Sequence, residues 1–241
     1  MTPEERAYAD IRARILDLRL RPGTGVPEVI LAAELGISRP LLHAALLRLH
    51  AEGLVEPAAR RGYCVTFPTV DALREIYEIV GALEGQAVRR IVRESGQILL
   101  AALHAAVQDQ DRALAARDMV AWGKADHRFH QLLREGASNS RLRRLFGHYE
   151  GQLQQARAAT LHLRAVPTLS TADHHAILAA IQAGDEDAAT RAHAAHRQRA
   201  DAEMLEAIRE LEGLRSVLGT QAVPPRGQPV APSLVHEARR F

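Results

Sequence analysis

Apolar positions recur every three or four residues along most of this chain, and that spacing predicts a largely helical protein. Between Pro3 and Leu20, the residues Ala7, Ile11, Ile15 and Leu18 mark one helical face, and Arg21-Pro22-Gly23-Thr24-Gly25 stops it. A short helix from Glu28 to Leu35 ends at Gly36. Ser38 then caps a further helix to Ala51, whose inward face is Leu42, Ala45, Leu46 and Leu49. After Gly53 the period changes: Leu54-Val55-Glu56-Pro57 and Tyr63-Cys64-Val65-Thr66-Phe67 read as two short strands joined by a basic hairpin through Arg60 and Arg61.

Pro68 marks a boundary. From Val70 to about Leu214 the pattern predicts about six helices and no strand, punctuated by capping signals at Ser95, Ser138-Asn139 and Ser170-Thr171. The expected organisation is therefore a small head (1–68), an all-α helical bundle (69–216) and a flexible, proline-rich tail (217–241). The fold class is mostly α, with the only strands in a wing.

Composition narrows the classes. The formal net charge is +2, with Lys124 the only lysine, so any nucleic-acid footprint has to be local. A single cysteine, Cys64, excludes an internal disulfide framework, and its strand position reads as a small buried apolar residue. No apolar run approaches the ~20 residues that span a bilayer, and the first residues lack a signal-peptide pattern, so a cytoplasmic protein without a membrane partner is expected.

The chemistry concentrates in the bundle. Asp126, Phe129, His130 and Leu133 are spaced 0, 3, 4 and 7 and share one helical face. His174 is in phase with Ile177, Leu178 and Ile181, and His196 follows Ala189 and Ala192. Ionisable groups facing a core cost several kcal/mol unless paired or bound, so four of them in these phases point to a metal site. Imidazole nitrogens with one carboxylate oxygen suit zinc first, with nickel or another transition ion as alternatives. His127, His175 and His193 occupy neighbouring phases and read as solvated or supporting, and Asp173 is placed to orient a ligand ring.

Residues 5–67 resemble the head of the GntR family of bacterial regulators, through Gly36-Ile37-Ser38-Arg39, Ala45-Leu46-Leu47-Arg48-Leu49, Glu52-Gly53-Leu54-Val55 and Arg60-Arg61-Gly62-Tyr63-Cys64-Val65. That resemblance implies a winged helix-turn-helix on double-stranded DNA. Ser38, Arg39, Pro40, His43 and Arg48 would lie on or beside the reading helix, Arg39 placed for guanine, Arg60 and Arg61 on phosphates, and Gly62 where the backbone turns beside the duplex. The family's Thr-Pro-Val-Arg-Glu after Ser-Arg is Pro40-Leu41-Leu42-His43-Ala44 here, which makes the reading surface unusually apolar.

Residues 72–213 resemble the FCD effector domain of the FadR-like subgroup, through Leu83-Glu84, Asp126-His127-Arg128-Phe129-His130, Ser138-Asn139-Ser140-Arg141-Leu142 and Asp173-His174-His175-Ala176-Ile177. It implies a divalent ion on Asp126, His130, His174 and His196, a small organic acid effector, and a homodimer reading a palindromic operator, most simply as a repressor. An arginine common three residues before Glu84 is Gly81 in this chain. Arg157 and Arg164 are candidate replacements for holding the effector's carboxylate, with His148 and Asn139 as further effector-binding candidates. Two alternatives are a metal-dependent hydrolase, which would need a general acid or base beside a metal-bound water, and a degenerate regulator whose ion is purely structural.

Overall fold

A computed structural model describes residues 1–58, 62–94, 96–136, 138–160, 163 and 166–217. The head opens with α1 (Pro3–Leu16), which Thr2 and Glu5 start reciprocally: the Thr2 hydroxyl accepts from the Glu5 amide at 3.2 Å and the Glu5 carboxylate accepts from the Thr2 amide at 2.7 Å. The helix stops four residues earlier than its periodicity suggests. Leu18 is not on its face but turns left-handed at φ 61°, and the Leu20 amide returns to the Arg14 carbonyl.

Next come β1 (Gly25–Val26), α2 (Glu28–Leu35) and α3 (Arg39–Ala51), followed by β2 (Val55–Ala58) and β3 (Gly62–Val65). Gly36 caps α2 at φ 62°, a conformation that costs a side chain strain. The following helix leaves at 110°, the angle of a helix-turn-helix. Strand β3 lies between β1 and β2 in an antiparallel sheet. The pattern did not reveal β1, because two residues are too few to show an alternation. Inward-pointing Tyr63 and Val65 join Ile11, Ile15, Val26, Leu42, Leu46, Leu49 and Leu54 in the head's core. Cys64 points the other way and is half-buried rather than core.

Among the described residues six helices form the body, as the periodicity predicts: α4 (Val70–Glu94), α5 (Gln97–Ala115), α6 (Met119–Gly136), α7 (Ser140–Thr160), α8 (Thr168–Gln182) and α9 (Glu186–Val217). Asn139 caps α7 through its side-chain oxygen, which accepts from the Arg141 and Leu142 amides at 3.1 Å. Ser170 and Thr171, read as a cap, instead lie buried inside α8, whose cap residue is Pro167. Ser95 and the proline-rich tail from 218 onward lie outside the described residues.

The body has two apolar clusters. One gathers Leu73, Val80, Leu142, Phe146, Leu153 and Ile208, and the other Val88, Leu103, Phe129, Leu133, Ile177 and Leu178. Glu84 interrupts the buried stripe of α4 between Val80 and Val88, so a polar layer separates the two clusters. Among the described residues no single helix is long and apolar enough to cross a membrane.

Candidate metal centre

That polar layer holds the candidate ligands read from the sequence. His130 on α6, His174 on α8 and His196 on α9 are all buried, and each offers a ring nitrogen within 4.8 Å of the others. The Nε2 atoms of His174 and His196 are 3.2 Å apart. An Asp126 carboxylate oxygen lies 3.8 Å from His130 Nε2 and 4.0 Å from His174 Nε2. Around an ion with bonds near 2.0–2.1 Å, tetrahedral ligand atoms sit about 3.3 Å from one another, so the imidazole edge fits without rearrangement.

The other ring nitrogens explain why these lone pairs converge. His174 Nδ1 donates to the Gln110 side-chain oxygen at 2.9 Å, and His196 Nδ1 donates to Asp173 at 3.2 Å. Each ring carries its proton on Nδ1, which leaves two Nε2 lone pairs facing each other. Their contact is therefore not a hydrogen bond, and a cation between them removes the repulsion. His130 follows the same plan, its Nδ1 facing Glu84 at 3.4 Å and its Nε2 turned to Asp126. Oriented neutral imidazoles with a carboxylate are the donor set of zinc and of other borderline divalent ions.

Glu84 ties this layer to its surroundings. Its two oxygens face His130, His193 at 3.3 Å, Arg134 at 3.4 Å and Arg197 at 3.7 Å. Burial alone would raise its pKa, but His130 and Arg197 outweigh that and hold the carboxyl well below the ordinary range. Arg134 continues the Asp126, His130 stripe by one more turn, a sequence signal that could have found it. Gln110 likewise sits among Leu103, Ala106, Val107 and Ala113 on the buried face of α5.

Burial, with His130 beside His174 and His174 beside His196, keeps both of these imidazoles neutral far below the usual histidine range. The unfolded chain would protonate them near 6.5 and so binds more protons than the folded one below that pH. Metal-free protein is therefore expected to lose stability as pH falls from 6.5 and to be insensitive above it. Asp201, pushed up to about 6 by burial, gives the opposite sign below that value, but it is one group against two. Thermal melts between pH 7.5 and 5.5 check this, and a flat profile would contradict the neutral pair.

The neighbouring histidines fall into the expected classes. Exposed His175 bonds Asp111, half-buried His127 meets Gln154 and Glu150, and buried His193 supports Glu84. The effector-binding candidates divide. Arg157 is beside the centre: burial disfavours its cation, Asp126 and Glu150 outweigh that, and its Nη1 is buried without a hydrogen-bond partner. His148 is exposed on α7 beside the Tyr149 ring and Asn139 is spent on its cap, and neither is in the cluster of His130, His174 and His196. Arg164 lies outside the described residues. A cavity of about 450 Å³ opens between α4 and α9, lined by Tyr77, Gly81, Gly85, Arg89, His193 and Arg197 among others. A Cβ at Gly81 would meet nothing within 4 Å, so the position leaves open space on this wall.

In the head, Ser38 is the residue before α3 and its side chain makes no capping bond, while Arg39 and Pro40 are exposed at the helix start. His43 faces Glu28 at 3.5 Å and the edge of Tyr63, and Arg48 pairs with Glu4 at 3.7 Å and lies over Tyr8. Gly62 has φ 74°, and a Cβ there would sit 2.9 Å from the Val26 carbonyl, so close strand approach accounts for this glycine. Arg60 and Arg61 lie outside the described residues.

A winged helix-turn-helix joined to a separate helical bundle is the architecture of a DNA-binding regulator. Residues 3–65 match the bacterial regulatory proteins of the gntR family, and residues 75–199 match the FCD domain. The chain belongs to the GntR family and carries an FCD domain. It is 34% identical over 130 residues to an uncharacterized HTH-type transcriptional regulator in the TAR-I ttuE-ttuC' intergenic region of Agrobacterium vitis, covering 53% of this chain and 76% of that one. It is 30% identical over 191 residues to the Nta operon transcriptional regulator of Aminobacter aminovorans, covering 78% and 88%. The solved structure of E. coli McbR/YncC superposes with a TM-score of 0.73 at 21% identity, covering 86% of this chain and 98% of that one. The two sequence relatives are transcription regulators, not enzymes, and the hydrolase alternative falls with them.

Proposed function

We propose that the protein is a metabolite-responsive repressor whose body holds a divalent ion, zinc first, on Asp126, His130, His174 and His196. The observation that carries this reading is the 3.2 Å approach of the His174 and His196 Nε2 atoms, with each ring's Nδ1 set against an oxygen acceptor. The ion would supply a Lewis-acidic anchor for a small organic acid. Arg157, with a buried nitrogen lacking a partner, suits that acid's carboxylate. The protein would act in the cytoplasm as a homodimer, two heads reading a palindromic operator.

Helix α7 supports a route from body to head. Toward the centre, Glu150 pairs with Arg134 at 2.7 Å, and Arg157 lies in the field of Asp126. Toward the head, the Gln152 amide donates to the Glu52 carbonyl at 3.0 Å and the buried Gln155 amide to the Thr66 carbonyl at 2.8 Å, while Gly151 packs against Leu54. A ligand couples the two only if it binds one head arrangement better, and ordinary couplings of ~1–3 kcal/mol change operator affinity about 5- to 150-fold.

A thermal-shift screen of small carboxylic acids on zinc-loaded and metal-free protein tests the reading. Hits confined to the loaded form support it; equal hits in both forms leave the ion purely structural. With a hit in hand, Gln155→Ala is expected to bind metal as before while the effector's influence on operator affinity shrinks toward onefold, as mobility shifts would show. Full retention of the response would remove α7 from the route.

A further inference from the structure

Helix α3 carries an apolar stripe where a reading helix usually carries donors and acceptors. Its buried residues are Leu42, Ala45, Leu46 and Leu49. At about 100° per residue, the opposite side is centred on Pro40, Ala44, Leu47 and Ala51. Leu47 is 48% exposed and is not among the residues of the head's core. The polar side chains flanking the stripe are held elsewhere: His43 by Glu28 and Tyr63, and Arg48 by Glu4 and the Tyr8 ring. Arg39, the first residue of α3, is exposed and brings a guanidinium to the leading end of the helix.

We propose that this stripe reads the C5-methyl groups of thymines, so that the operator half-site presents T·A pairs to Leu47 and Pro40. The inference rests on α3 being the DNA-reading helix. Among groups in the major groove, only the thymine methyl is complementary to an aliphatic side chain, and donors or acceptors set against Leu47 would lose their water without a replacement. Pro40 to Leu47 spans roughly 10 Å of helix, or about three base-pair steps. The occupant is duplex DNA rather than a protein because the stripe lies on the second helix of the helix-turn-helix, with Arg39 at its leading end.

The test uses the full chain and a random duplex library at fixed salt. Selected sites are expected to share thymines within one half-site. Replacing such a thymine by deoxyuracil removes only the methyl group and should weaken binding about fourfold per methyl read. Leu47→Ala, at an exposed position, should weaken the thymine duplex by a similar factor and leave the uracil duplex unchanged, a coupling that general folding or phosphate contacts cannot produce. Sites that tolerate uracil everywhere, sites without thymine, or equal losses on both duplexes would overturn methyl reading and leave the regulator standing. Failure to enrich any sequence would overturn both, and a protein partner on this face would then be the remaining occupant.

Discussion

Removing divalent metal from the purified protein with a chelator is expected to lower its melting temperature by about 8–16 °C. An ion held at a thousandfold excess over its dissociation constant contributes about 4 kcal/mol to the folded state, and a domain of this size shifts about 2–4 °C per kcal/mol. The physical cause is local. Without an ion, the lone pairs of His174 and His196 repel across 3.2 Å inside a layer closed off by two apolar clusters. Trp122, the only tryptophan, lies one turn before Asp126 and donates to Thr171 at 2.9 Å, so its fluorescence follows the same change. His174→Ala should melt at one temperature with or without chelator. A wild-type protein equally indifferent would show that the cluster holds no ion.

Replacing Glu84 by leucine should cost about 3–5 kcal/mol of folding stability, because it removes the buried carboxylate that two guanidiniums and two imidazoles share. Glu84 is fully buried and faces Arg134, Arg197, His130 and His193; once it is gone, Arg134 keeps Glu150 at 2.7 Å and Arg197 keeps Asp201 at 2.6 Å. Glu84→Gln keeps the shape and removes the charge, and it should additionally weaken metal affinity about 10- to 100-fold by releasing the His130 ring. Urea midpoints and metal titrations separate the two effects. A loss under about 1 kcal/mol for the leucine variant would mean that water reaches the arginines and that the layer is not sealed.

Much of this was legible in the chain because helical phase is a local property. Asp126 and His130 share a face whatever surrounds them, and His174 and His196 keep step with apolar neighbours, so their burial could be read from phase, while the resemblance to the FCD domain implied that they converge. The same rule, applied to α7, would have placed His148 opposite Leu142, Phe146 and Leu153 and removed it from the pocket. What phase cannot show is which buried faces meet. Gln110 reaches His174, and Arg197 reaches Glu84, only because α5 packs on α8 and α9 on α4, contacts set by tertiary packing. Short elements were lost for a different reason: β1 exists through its pairing with β3, and Leu18 leaves α1 through a left-handed turn that no glycine announces. In the head, residue identity gave the helix-turn-helix but not the fate of Arg48, whose partners Glu4 and Tyr8 come from a helix 40 residues earlier.

The most direct test of a metal-holding body is X-ray absorption at the zinc edge, on protein loaded with one equivalent and passed through a desalting column. The account predicts one retained ion per chain, with about three imidazole nitrogens at ~2.0–2.1 Å and oxygen completing the shell, the imidazole signal falling when His196 is changed to alanine. Protein that emerges without zinc, or with an ion lacking imidazole neighbours, would contradict it.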